Sequence, residues 1–258
     1  MFSIPILTYH KISYQKEFGL TTIDPDRFKA QLEILKNQQY RLKIFKDLEK
    51  DNVRAELNLI LTFDDGYESV YQHAFPLMQE SNFKGVIFII TDYISKKNDW
   101  ESYPILRKST HLSKKQIVEL HQAGFEIGSH SRRHLYLCNK PDRILKTEIE
   151  DSKKLIEDLT GAAVRSFCYP FGRYNQRVVE YVREAGYKYA LGRAQLLRNT
   201  ENDPWHLTRR TIYSLDGMKS FLTKVTATKT TPGSFIAEWI IQQGALINIF
   251  RQNLNKYD

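Results

Sequence analysis

The sequence predicts an α/β chain whose parallel sheet, closed or nearly closed into a barrel, is covered by helices. Three observations carry this: β-rich runs alternate with helical patterns along the chain, six such runs recur over about 200 residues, and no linker rich in Gly, Pro or Ser interrupts them. At 258 residues a single large domain fits better than two small ones. The barrel is expected over residues 1–230. A C-terminal amphipathic helix is expected over 231–258, packed on the barrel through Ile236, Trp239, Ile240, Ile247, Phe250 and Leu254.

The strands read, in order, as SIPILTY (3–9), LNLILTF (57–63), KGVIFII (84–90), FEIGS (125–129), RSFCYP (165–170) and YKYAL (187–191), each bounded by turn signals or charges. HLTRRTI (206–212) is a late β-like stretch. Helical spacing occupies 26–38, 67–80, 113–122 and 175–185. It is clearest from Pro141 to Leu159, where Leu145, Ile149, Ile156 and Leu159 form one stripe that Gly161 closes. Asn175 is the expected cap of the helix that follows it.

Composition narrows the function classes. With 41% hydrophobic and 12% aromatic residues the chain buries a core, which excludes disorder. The longest apolar run, Val86 to Ile90, is far below the roughly 18 residues of a membrane-spanning helix. MFSIPILTYHK has no basic start and no small-residue cleavage site, so a cytoplasmic protein is expected, peripheral at the inner membrane face if the C-terminal helix lies on lipid. Cys138 and Cys168 read as reduced thiols. The net charge of +8 comes without the aromatic-interleaved basic pattern of a nucleic-acid module, so no nucleic-acid partner is expected. Oligomeric state is not legible.

In barrels of this kind chemistry sits where strands end. LNLILTF ends in Asp64, Asp65 and Gly66. Two adjacent carboxylates raise one another's pKa unless a cation is near, and beside a cation one can ligate while its neighbour stays free as a base. FEIGS runs into His130, with His134 four residues on. Two imidazoles at that spacing grip one divalent ion, and one carboxylate oxygen completes an open two-His, one-Asp site. Zinc is the default for such donors, with cobalt, nickel and iron also suited. The loop Tyr169, Pro170, Phe171, Gly172 can aim a backbone N–H at a developing oxyanion and wall a sugar ring with aromatics.

TFDDGY (62–67), GSHSRRH (128–134) and FCYPFGRYN (167–175), in that order, resemble the first three motifs of the polysaccharide deacetylases, carbohydrate esterase family four with its NodB-homology domain. IPILTYHKI (4–12) resembles the opening strand of the biofilm-type bacterial members. The resemblance implies a deformed (β/α)7 barrel, with Asp64 as general base and Asp65, His130 and His134 as metal ligands. It further implies that the Tyr169 backbone N–H helps bind the oxyanion, beside a sugar-binding wall of Tyr169, Pro170 and Phe171. Family members often carry, where Cys168 stands, an Arg that orients the base; Arg210 is the expected substitute. His10 and His206 are the expected proton donors to the leaving amine, with His10 preferred because it ends the first strand, and a protonated Asp64 is a third route. His73, His111 and His121 are expected at the surface.

The implied activity is metal-dependent removal of N-acetyl groups from N-acetylhexosamine units of a cell-envelope glycan or its lipid-linked precursor. An O-acetyl esterase and a glycan-binding barrel without turnover are the alternatives. A nucleic-acid-binding protein rests on charge alone.

Overall fold

The computed structural model describes residues 4–15, 20–49, 57–98, 108–192 and 203–226, together with 245, 246, 248–250 and 252 near the C-terminus. Strands β1 (Ile6–Tyr9), β2 (Asn58–Phe63), β3 (Val86–Ile89), β4 (Glu126–Ser129), β5 (Ser166–Cys168) and β6 (Tyr189–Gly192) lie side by side in chain order, all parallel. A seventh strand is split: β7 (Leu207–Thr208) pairs with β6, and β8 (Arg210–Thr211) pairs with β1. The changeover at Arg209 joins the last strand to the first and nearly closes the ring, as the alternating pattern predicts.

The helices that cover the ring are α1 (Pro25–Asn37), α2 (Phe75–Glu80), α3 (Lys114–Gln122), α4 (Asp142–Lys146), α5 (Ser152–Thr160), α6 (Gln176–Glu184) and α7 (Met218–Val225). Local chemistry starts and stops them. The Asp24 carboxylate accepts the Asp26 and Arg27 amides at the head of α1, Ser113 and Gln116 form a reciprocal capping box on α3, and Asn175 accepts the Val178 amide on α6. Gly161, at φ 68°, ends α5 in the left-handed region that a side chain would disfavour.

Period-two alternation divides the strands' side chains between two layers. Leu7, Leu61, Ile87, Ile89, Ile127, Phe167 and Ala190 face outward into the main core beneath the helices. Ile6, Ile60, Val86, Phe88, Cys168, Leu191 and Leu207 face inward and fill the ring, which Phe45, stacked on Tyr189, plugs at the strands' starting ends. The inner layer is tight: a Cβ on Gly128 would stand 2.5 Å from the Phe88 ring. Each buried Leu, Ile or Phe contributes roughly 1.5–3 kcal/mol, so the two layers hold the strand ends rigidly.

The helix expected from Pro141 to Leu159 is present but interrupted. Between α4 and α5 lies one wide π turn, Thr147–Asp151, and a similar turn, Val70–Ala74, precedes α2. Helix α7 is not among the expected helices, although Met218, Phe221, Leu222 and Val225 fall at helical spacing. Most of the predicted C-terminal helix lies outside the described residues. Of its predicted stripe only Phe250 is described, and it is exposed, whereas the neighbouring Ile249 is buried. No helix of the described residues is long and apolar enough to cross a membrane.

Candidate active site

Strand parity also decides what enters the mouth of the ring. Residues in step with Ile6, Ile60, Glu126, Cys168 and Leu207 point inward, so the chain delivers His10, Asp64, His130, Cys168 and Arg209 to one place at the strands' C-terminal ends. Asp64, Asp65, His130 and His134 are all buried, each at most 4% exposed. The Asp65 Oδ1 lies 3.5 Å from His130 Nε2 and 3.8 Å from His134 Nε2, and one ligand atom from each of the three residues falls within 4.8 Å of the others.

These three residues fit a divalent ion. Tetrahedral bonds of about 2.05 Å place ligand atoms roughly 3.3 Å apart, close to the separations found here. His130 Nδ1–H donates to the Cys168 carbonyl at 2.7 Å, which leaves the Nε2 lone pair facing Asp65. Burial pushes the His130 imidazole down to about 4 despite the nearby Asp64 carboxylate, and burial with His130 alongside holds His134 well below its ordinary value. Both rings are therefore neutral and able to ligate at neutral pH. A second set, Asp64, His130 and Cys168, is equally close but less suited. Arg209 already holds both Asp64 oxygens and lies 3.0 Å from the Cys168 Sγ, so these two donors face a cation of the protein's own.

Asp64 is held differently from its neighbour. Arg209 donates Nη1–H to Oδ1 at 2.6 Å and Nη2–H to Oδ2 at 2.8 Å, a two-pronged grip between buried groups. The Cys168 Sγ lies 3.0 Å from Arg209 Nη2 and 3.6 Å from Asp64 Oδ2, filling the space beside that grip. Burial alone would raise the Asp64 carboxyl, but the guanidinium, with His130 and His10, outweighs it and keeps the group far below the usual carboxylate range. Asp64 is thus a fixed, ionised carboxylate beside the possible ion.

Two expectations need correction. The residue gripping Asp64 is Arg209, not Arg210: parity turns Arg210 outward, where its Nη1–H donates to the Lys224 carbonyl at 2.7 Å. The Tyr169 amide is engaged in the sheet, donating to the Leu191 carbonyl at 2.9 Å, and the Tyr169 side chain points into the outer layer, its hydroxyl donating to the Trp205 carbonyl at 3.1 Å. Neither the N–H nor the ring of Tyr169 is presented to the mouth. Pro170 has no N–H, so the next donor is Phe171, held at φ 59° with its ring 4.5 Å from the His134 ring. Among the described residues, the Phe171 amide donates no hydrogen bond.

His10 sits close enough to Asp64, His130 and His134 to perturb all three. His206 instead pairs with Asp203 at 2.9 Å and packs near the Tyr174 ring. His111, expected at the surface, is 2% exposed. It lies between the Tyr67 and Tyr93 rings, and its Nδ1 is 2.8 Å from the Asp65 carbonyl. Leu112 N–H donates to the Gly66 carbonyl and Glu68 N–H to the Thr110 carbonyl, so the segment before α3 braces the Asp65–Gly66 turn. Asp65, Ser131, His134 and Phe171 all have positive φ, a concentration of strained backbone at one mouth.

The polysaccharide deacetylase family model matches residues 51–190, which span the strands carrying Asp64, His130 and Cys168. The chain belongs to the polysaccharide deacetylase family. It is 30% identical, over 72% of its length, to YxkH of Bacillus subtilis, itself ascribed to the polysaccharide deacetylases; the match spans 62% of that relative, less than two thirds of it. It is 23% identical over 76% of its length to a poly-beta-1,6-N-acetyl-D-glucosamine N-deacetylase of Staphylococcus aureus, covering 70% of that protein. Among solved structures, the Streptococcus pyogenes deacetylase PplD in complex with acetate superposes at a TM-score of 0.74 over 86% of this chain and 97% of that one, at 24% identity. IcaB from Ammonifex degensii superposes at 0.70 over 87% and 96%, at 21% identity. The fold they share is the deformed (β/α)7 barrel.

Proposed function

We propose that this chain is a metal-dependent deacetylase that hydrolyses N-acetyl groups on N-acetylhexosamine units of a cell-envelope glycan or its precursor. The observation that carries the reading is the division of labour between adjacent carboxylates: Asp65 faces two neutral imidazoles, while Asp64 is turned to Arg209 and kept ionised. Zinc is the ion best matched to the donors Asp65, His130 and His134. Bound there, it would supply Lewis acidity to the acetamide carbonyl and to the attacking water.

The protein's own groups account for the remaining steps. Ionised Asp64 accepts a proton from the water as its oxygen bonds to the acetamide carbon. The Phe171 N–H, rather than that of Tyr169, is the backbone donor for the oxygen that becomes negative. His10 gives a proton to the nitrogen as the C–N bond breaks, so that acetate and a free amine leave. Phe171, beside His134, supplies the apolar surface against which a sugar ring can rest, with Pro170 shaping its loop.

The S. aureus relative's named polymer makes a β-1,6-linked N-acetylglucosamine oligosaccharide the first substrate to try. Acetate release from it, from other acetylated glycans and from lipid-linked sugars should require a divalent ion, disappear with chelator and be absent in Asp64→Asn. A panel on which the zinc-loaded chain releases no acetate, at enzyme concentrations sufficient for a single turnover, would leave the reading without support.

A further inference from the structure

Between His130 and His134 the chain reverses through two residues in the left-handed region, Ser131 at φ 64° and His134 itself at φ 57°. Such a path is disfavoured for side chains larger than glycine and persists only where the surroundings fix it. Part of the fixing is local: Ser129 Oγ accepts the Ser131 amide at 3.2 Å, and Ser131 Oγ accepts the His134 amide at 3.0 Å. The two amides between them, Arg132 and Arg133, both donate to one oxygen from another element, Glu148 Oε2, at 3.1 and 2.8 Å. Arg133 Nε–H donates to the other oxygen, Oε1, at 2.7 Å.

Glu148 is 0% exposed, an unusual place for a carboxylate. Helical spacing puts it there, within the π turn at Thr147–Asp151. Glu148 follows Ile144 by four residues and precedes Ser152 by four, so it lies with Ile149 on the helix's buried face, Ile149 in the apolar stripe and Glu148 against the His130–His134 loop. Three N–H groups converge on the two oxygens, an arrangement that a carboxylate satisfies and an apolar side chain cannot.

We propose that Glu148 is a positioning residue for the ion: through the amides of Arg132 and Arg133 it holds the loop in the shape that brings both imidazoles to Asp65. The inference rests on the reading of Asp65, His130 and His134 as the ion's ligands. Glu148 touches neither ion nor substrate, and it acts by keeping His134 from relaxing out of its strained backbone.

The test is zinc affinity of the metal-stripped full chain, measured by competition with a chromophoric chelator, alongside thermal melting. Glu148→Met removes the acceptor at nearly constant volume and should weaken zinc binding by about 10- to 100-fold. Glu148→Gln keeps an acceptor for the two amides and should recover most of that loss. Glu148→Asp, which keeps the charge but falls one methylene short, should weaken zinc binding even where Glu148→Met fails to fold. Glu126→Gln, which alters a buried carboxylate at the opposite end of the ring, should leave zinc affinity unchanged. Glu148→Met or Glu148→Asp binding zinc as tightly as the parent, with only a lower melting temperature, would overturn the inference and reduce Glu148 to a structural group. A parent chain that binds no zinc, or binds it equally after Asp65→Ala, would instead remove the ligand assignment itself.

Discussion

Replacing Arg209 tests the active-site reading most directly, because one side chain fixes both the charge and the direction of Asp64. In Arg209→Met the volume is roughly kept while both hydrogen bonds, at 2.6 and 2.8 Å, are lost. Removing one partner of a buried pair costs about 3–5 kcal/mol, since the other is left desolvated and uncompensated. At 1.36 kcal/mol per decade, the same loss expressed in turnover is about 10²- to 10⁴-fold. The pH profile should shift in a defined direction. With the guanidinium present the Asp64 carboxyl lies far below its ordinary value; without it burial dominates and the carboxyl rises, so the acid limb of the rate moves to higher pH. Stability follows the same sign. In the parent, the depressed carboxyl contributes stability above its unfolded value that is lost as pH falls through the folded one, and Arg209→Met forfeits that contribution. Arg209→Lys keeps a charge without the fork and should fall between the two, whereas Arg210→Met should leave the acid limb where it is. Acetate release from a β-1,6-linked N-acetylglucosamine oligosaccharide across pH, with melting followed in parallel, reads all of these. An Arg209→Met enzyme within about threefold of the parent and with an unmoved acid limb would refute the role assigned to the grip.

Three further outcomes are expected. His10→Ala should lower amide hydrolysis by roughly 10²- to 10⁴-fold but hydrolysis of the matching acetate ester far less, because an alkoxide leaves with less help than an amine; equal losses on both would count against His10 as the donor. His111→Phe keeps the packing between Tyr67 and Tyr93 but removes the bond to the Asp65 carbonyl, and should weaken zinc binding about tenfold, while His111→Asn, with a donor near the same position, should restore it; chelator competition distinguishes this from no effect. Glu126, pushed up to about 7 by burial, makes the folded state lose stability as pH rises from its ordinary carboxyl range through 7, by on the order of 3 kcal/mol; chemical denaturation across pH 4 to 8 should show that slope in the parent and a flatter one in Glu126→Gln.

Much of the barrel was legible because its signals are local. Apolar runs of strand length end in DDG, SH and YPFG, and the alternation between them requires parallel neighbours. The acidic pair and the spaced histidines were visible for the same reason: each lies within one short segment at a strand end. What escaped depends on relations between segments. Arg210 is the expected partner of Asp64, yet Leu207 belongs inside the ring and period two then sends Arg209, not Arg210, toward Asp64. Tyr169 would carry a free amide only if β5 stopped short of it; the ladder to Leu191 extends one residue further and leaves Phe171 as the next donor.

The groups behind the site were the least legible, and the reason is physical. His111 stands in a loop, where solvent is the ordinary expectation, and Glu148 is a charged residue on the buried face of an amphipathic helix, where a carboxylate is unusual. Residue type announces neither burial: His111 is enclosed by an antiparallel pairing with Tyr67, and Glu148 by the Arg132 and Arg133 amides that it accepts. Each then meets backbone of a segment that carries a proposed ion ligand, at the Asp65 carbonyl and at the Arg132 and Arg133 amides. The proposed ligand set, with two of its three members on left-handed backbone, needs such support, because Asp65 and His134 would otherwise relax toward extended backbone and separate their donors. The strained mouth and its buried polar braces are therefore one arrangement, and weakening either brace should be felt in zinc affinity before it is felt in the fold.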